Sequence, residues 1–120
     1  MRILIVEDSD SIRSMIRTLM TARGHDVEAV STGAKGIDAA LVRRPDVVLL
    51  DLHLPGSFDG FYVCRRLREA LPTSSVPIMI ISAMDDDATK AKAMEAGATA
   101  YYTKPFSPTA LLKELESLGV

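Results

Sequence analysis

The chain has 120 residues, 48% of them hydrophobic, 25% charged, with a formal net charge of −2. That is one domain's worth of soluble globular sequence, with no basic excess to suggest nucleic-acid binding. The lone Cys64 cannot form an internal disulfide, and no apolar run reaches the roughly 18 residues of a membrane span.

Strand-like and helix-like segments alternate five times along the chain, without repeats or linkers. The first strand is expected over Arg2–Val6, followed by a helix over Ser9–Arg23 with Ile12, Met15, Ile16, Leu19 and Met20 at helical spacing. Gly24 ends it as a left-handed cap. A second strand over Asp26–Val30 leads to a helix capped by Thr32 and running to Arg43, which Pro45 cannot continue. The third strand, Asp46–Leu50, is apolar on both faces and therefore central. The loop Leu52–Asp59 and a third helix over Gly60–Leu71 follow. A fourth strand over Val76–Ile81 precedes a helix over Asp86–Ala96, whose positive N-terminal end suits Asp85–Asp87. Gly97 closes it. The fifth strand spans Thr99–Thr103, and the last helix runs from Ser107 to Leu118 with Pro108 in its first turn.

A βα alternation of this kind predicts an α/β fold: a five-stranded parallel sheet with helices on both faces. Right-handed crossovers favour the flavodoxin-like order 2-1-3-4-5. The switch point then lies between strands one and three, and ligands bind at that edge. Those strands lead into Glu7, Asp8 and Asp51, while strands four and five lead into Ser82 and Lys104. Three carboxylates there need a cation among them, and Mg2+ takes such oxygen ligands. Asp51 has a further capacity, since a carboxylate can form an aspartyl phosphate. Lys104 and Ser82 would supply charge and a hydroxyl to the phosphoryl oxygens. Taken singly, each residue has a bland reading. Glu7 and Asp8 read as helix caps, Asp51 as a strand-end turn residue, Lys104 as a surface lysine and Ser82 as a turn cap. Their joint placement at the ends of four apolar strands favours a site.

These residues carry a family resemblance. The acidic pair Glu7-Asp8, the segment Asp51-Leu-His-Leu-Pro55, Ser82-Ala83, Gly97-Ala98 and Tyr101-Tyr-Thr-Lys104-Pro105-Phe106 stand in the order and spacing of the receiver domain of bacterial response regulators. The chain resembles that domain over essentially all of residues 1–120. The resemblance implies that Asp51 is the phosphoacceptor, charged by a sensor histidine kinase or a phosphotransfer protein. It implies Mg2+ (with Mn2+ able to substitute) held by Asp8 and Asp51 side chains and the His53 carbonyl, with Glu7 acting through a water. Ser82 would bond the phosphoryl group and Lys104 would neutralise it. Tyr101 would be the aromatic switch, and Pro105 matches a proline that often follows a cis peptide bond. A cytoplasmic signalling role follows, with no membrane contact and no direct nucleic-acid binding. Such a domain modifies itself and turns over no external substrate.

Several features depart from the family. Gly56-Ser57-Phe58-Asp59 makes the loop before the third helix one residue longer than usual. His53 and Met84 occupy the positions two beyond Asp51 and Ser82 where the family tunes loss of the phosphoryl group; as a side chain His53 reads as solvent-facing. Thr99 and Ala100 precede Tyr101, and Glu114 lies near the position where winged-helix transcription factors carry an arginine in the last helix. That weakens the salt-bridge network through which a phosphorylation-dependent homodimer would form on the face of the fourth helix, fifth strand and fifth helix. The chain ends two residues past Leu118, so a stand-alone receiver and the first domain of something longer both remain open.

The remaining residues read as structural. His25 is expected in a turn, Cys64 in the core beside Phe61 and Leu67, and Met15, Met20 and Met94 on core stripes. Arg65, Arg66 and Arg68 are expected on a solvated face. The fourth helix offers only alanines and Met94 to bury, so Asp85–Ala96 is expected to be the loosest element. Two other functions fit the pattern less well. A Mg2+-dependent phosphohydrolase would need a second acid where His53 stands. A degenerate receiver that only binds proteins would not need the intact Glu7, Asp8, Asp51, Ser82 and Lys104 set.

Overall fold

The computed structural model describes residues 1–118. Its strands are β1 (Arg2–Val6), β2 (Asp26–Val30), β3 (Val47–Asp51), β4 (Ile78–Ser82) and β5 (Ala100–Thr103). The helices are α1 (Asp10–Ala22), α2 (Gly33–Val42), α3 (Gly60–Glu69), α4 (Asp87–Glu95) and α5 (Pro108–Ser117). A 3-10 turn, Leu71–Thr73, follows α3. All pairings are parallel, in the order β2-β1-β3-β4-β5 expected from the sequence.

Side-chain alternation divides the core in two. Leu4, Val6, Val48, Leu50, Ile78 and Ile80 face α2, α3 and α4, whereas Ile3, Ile5, Val47, Leu49, Met79 and Ile81 face α1 and α5. Every residue of β3 and β4 is buried, as their apolar runs require of central strands. The edge strands β2 and β5 are only partly covered.

Ser9 caps α1, Thr32 caps α2 and Asp86 caps α4, each accepting from an amide three residues on. Gly24, with φ of 87°, ends α1 in the left-handed region as expected. Two methionines depart from expectation: Met15 and Met94 are 43% and 48% exposed, so of the three expected on core stripes Met20 alone is buried. At 3.6 residues per turn the border of an apolar stripe is blurred, and both lie beyond it. Cys64 is buried as expected.

Arg68 is not part of a solvated face. Its guanidinium donates to the carbonyls of Val76 and Gly97, at 2.6 and 2.8 Å, joining α3 to the turns before β4 and after α4. His25 does more than turn the chain: its Nε2 lies 3.0 Å from Glu116 in α5. His25 and Arg23 draw the Glu116 carboxyl below its ordinary pKa despite some opposing desolvation. Both arrangements join groups remote in sequence, which periodicity cannot reveal.

Candidate functional site

The C-terminal ends of β1 and β3 carry Glu7, Asp8 and Asp51 to one edge of the sheet. Crossovers leave β1 on opposite sides towards β2 and β3, which opens a crevice at that edge. The peptide after β3 is held by close approach of α3. A Cβ on Gly60 would come 2.4 Å from the Asp51 carbonyl oxygen and 2.5 Å from Leu52 Cα, so only glycine fits there. Gly60 N–H in turn donates to the Leu52 carbonyl at 2.9 Å.

Asp51 is 3% exposed and both of its carboxyl oxygens have partners. Oδ1 accepts from the His53 amide at 3.1 Å, and Oδ2 lies 3.3 Å from the Lys104 ammonium. Glu7 is fully buried. Its Oε1 accepts from Lys104 Nζ at 2.8 Å and its Oε2 from the Ser9 amide at 3.0 Å. Lys104 thus bridges two buried acids. Burial alone would lower its pKa, but the hydrogen bond to Glu7 and the charges of Asp51 and Glu7 outweigh that and raise it.

Asp8 stands exposed at the mouth, and Ser9, rather than either acid, caps α1. One carboxyl oxygen from each of Glu7, Asp8 and Asp51 lies within 4.8 Å of the others, the one such acidic group among the described residues. Three hard oxygen donors against a single ammonium suit a cation such as Mg2+, and the absence of sulfur or imidazole donors disfavours a softer metal. The His53 side chain is exposed, as expected.

Ser82 and Tyr101 occupy the neighbouring strands. Ser82 is fully buried at the end of β4, and its hydroxyl accepts from the Met84 amide at 3.1 Å. The Tyr101 hydroxyl donates to the Met84 carbonyl at 2.6 Å. The same short loop is tied down at Asp85, whose Oδ1 pairs with Lys90 Nζ at 2.8 Å and accepts from the Thr103 hydroxyl at 3.3 Å. The bond and charge of Lys90 hold the Asp85 carboxyl below its usual range. Lys104 follows Thr103, and the Lys104–Pro105 peptide is cis.

Sequence reading assembled Glu7, Asp8, Asp51, Ser82 and Lys104 at this edge; the contact of Tyr101 with the loop after Ser82 comes from the structure. It missed Arg13. From the first turns of α1, Arg13 reaches back with Nη1 to the Glu7 carbonyl at 2.9 Å and the Asp8 carbonyl at 3.4 Å, while Nη2 pairs with Asp10. The signal available was an aspartate and an arginine three apart on a helix that starts directly after the acidic pair.

Known proteins share this architecture. The family model described as the response regulator receiver domain matches residues 3–116. The transcriptional regulatory protein AfsQ1 of Streptomyces coelicolor is 39% identical over 103 residues, covering 86% of this chain and 44% of that protein. The transcriptional regulator RpaA of Synechocystis is 35% identical, over 98% of this chain and 48% of that protein. The chain spans about half the length of these curated relatives. Among solved structures, the Vibrio cholerae chemotaxis protein CheY4 superposes with a TM-score of 0.91 at 30% identity, covering 98% of this chain and 97% of that one. The receiver domain of the Pseudomonas aeruginosa sensor histidine kinase PA1611, solved with magnesium in its active-site cleft, gives 0.89 at 28% identity, over 98% and 95%. No helix among the described residues is long and apolar enough to cross a membrane. With the sheet order, the acidic crevice and these likenesses in agreement, the chain belongs to the response regulator receiver domain family, the receivers of two-component signalling.

Proposed function

We propose that residues 1–120 act as one receiver domain that takes a phosphoryl group onto Asp51 from a phosphohistidine of a sensor histidine kinase or phosphotransfer protein. The observation that carries this reading is the setting of Asp51: buried at the switch point, with Glu7 and Asp8 oxygens within 4.8 Å and the Lys104 ammonium 3.3 Å away. An Asp51 carboxylate oxygen forms a bond to phosphorus as the phosphorus–nitrogen bond breaks. The imidazole leaves with that electron pair and gains a proton from solvent.

Phosphoryl transfer asks mainly for positioning and for opposite charge on the equatorial oxygens. Lys104 offers the fixed charge. The Ser82 hydroxyl, which already accepts from Met84, retains its own proton to donate to a phosphoryl oxygen. Asp8 and Asp51 would hold Mg2+ by their side chains, His53 by its carbonyl and Glu7 through a water. Bound there, the ion would neutralise charge on the transferring group.

Readout follows from the loop after β4. Ser82 moving towards the phosphoryl group shifts Met84, whose carbonyl holds the Tyr101 hydroxyl. Tyr101 then turns inward and α4 repositions, changing the face made by α4, β5 and α5. The partner on that face is an output domain or a separate protein, and the chemistry is confined to the domain's own Asp51. A cytoplasmic setting fits a donor kinase of this kind.

The test is intact mass after incubation with Mg2+ and a small acyl phosphate. Wild type should gain one phosphoryl group, and Asp51→Asn or omission of Mg2+ should abolish the gain. A modification that persists in Asp51→Asn would refute Asp51 as the acceptor.

A further inference from the structure

We propose that Arg13 is a positioning residue for the divalent cation, acting through the backbone of the two acids rather than through its charge. The inference rests on the reading of Glu7, Asp8 and Asp51 as a cation site.

The β1–α1 turn must present the Glu7 and Asp8 side chains to the crevice from adjacent residues, of which Glu7 is buried and Asp8 exposed. Adjacent side chains point in opposing directions along a strand, so the backbone has to change course between them. The Arg13 guanidinium sits at that bend. Its Nη1 donates to the carbonyls that follow Glu7 and Asp8, at 2.9 and 3.4 Å, fixing both peptide units together. Its Nη2 is paired with Asp10 across one turn of α1. Asp10 thereby aims the fork and offsets its charge. The remainder of the turn is held separately, by Ser9 Oγ on the Ile12 amide and Glu7 Oε2 on the Ser9 amide. Loss of Arg13 therefore frees the two peptide units without unravelling α1.

Position and charge predict opposite signs, which makes the idea testable. A cation beside the crevice repels Mg2+, so if charge governed, removing it would tighten metal binding. If the guanidinium fixes the acids, removing it loosens them. Loss of such an outer support typically costs metal affinity about tenfold or more.

The experiment is calorimetric titration of the protein with Mg2+ alone, on wild type, Arg13→Ala and Arg13→Lys. Thermal midpoints recorded alongside check that the variants are folded. Arg13→Ala should weaken Mg2+ binding by about tenfold. The Mg2+ concentration that half-saturates phosphorylation by a small acyl phosphate should rise in Arg13→Ala by a similar factor. Arg13→Lys keeps the charge but loses the planar fork, so it should weaken binding too. Wild-type affinity or tighter in Arg13→Ala would overturn the proposal, as would full recovery in Arg13→Lys. Should the alanine variant not fold, the lysine variant alone decides between fork and charge. No Mg2+ binding by wild type would instead defeat the cation site itself, a separable result.

Discussion

Helices α1 and α4 begin at the same edge of the sheet, after strands that each deliver part of the site, yet they are held in different ways. α1 buries Ile16 and Met20 completely and packs Ile12 and Leu19 against the sheet. α4 buries only Ala93 within its span, with Ala96 at its cap, and leaves Met94 half exposed. A fully buried isoleucine or methionine contributes about 1.5–3 kcal/mol, and an alanine methyl a fraction of that. Polar contacts do more of the holding at α4: Asp85 with Lys90 and Thr103, Tyr101 with Met84, Lys92 over the Phe61 ring at 4.3 Å, and Arg68 on Gly97. The acids Glu7 and Asp8 thus stand on a fixed part of the molecule. Ser82 leads into a part held by contacts that exchange readily with water. A ligand shifts an equilibrium only by its differential contacts in two states, and this division supplies an element with little holding it in one state.

The largest effect expected on the fixed half comes from Lys104→Met. Removing the ammonium between Glu7 and Asp51 should slow phosphorylation by about a hundred- to a thousandfold, the usual loss for one preorganised charge donor. The same contact has a pH signature. Because the Lys104 pKa is raised in the folded state, its stabilising share is complete below the ordinary lysine value of about 10.4 and is lost as pH climbs through the raised value. Denaturant titrations of wild type and Lys104→Met should differ by a constant amount from pH 7 to 9 and converge at higher pH.

Core packing sharpens the contrast between the helices. Ile16→Ala should cost about 3 kcal/mol of global stability, whereas Met94→Ala should cost no more than about 0.5 kcal/mol. Equal losses in chemical denaturation would erase the distinction. A smaller effect belongs to Ser82→Ala. One hydrogen bond to a charged group is worth about 1.5–3 kcal/mol, so phosphorylation should slow by roughly ten- to a hundredfold. The more telling outcome is that any phosphorylation still achieved should leave α4 unmoved.

Much of this was legible because the physics was local. Short, continuous apolar runs marked the strands, and the observed boundaries lie within about two residues of those expected. Once the strand order was known, Glu7, Asp8, Asp51, Ser82 and Lys104 had to meet at one edge. In the loop before α3, Phe58 stacks on Tyr62 with ring centroids 4.5 Å apart. What stayed hidden depended on carbonyl groups and remote partners. Arg68 looked like one of three surface arginines until the fold brought the Val76 and Gly97 carbonyls to it. His25 looked like a turn residue until α5 brought Glu116 alongside. Arg13 was missed for the same reason: sequence pattern shows which side chains share a face, not where backbone oxygens end up.

The central claim is that phosphorylation at Asp51 is felt by α4 and not by α1. Peptide-resolved hydrogen exchange, with and without Mg2+ and a small acyl phosphate, tests it most directly. The account predicts that α1 exchanges slowly in both states, while Ala83–Ala96 and the Tyr101 peptide exchange faster before phosphorylation and change on it. Equal protection of α1 and α4, unchanged in confirmed phosphoprotein, would contradict it.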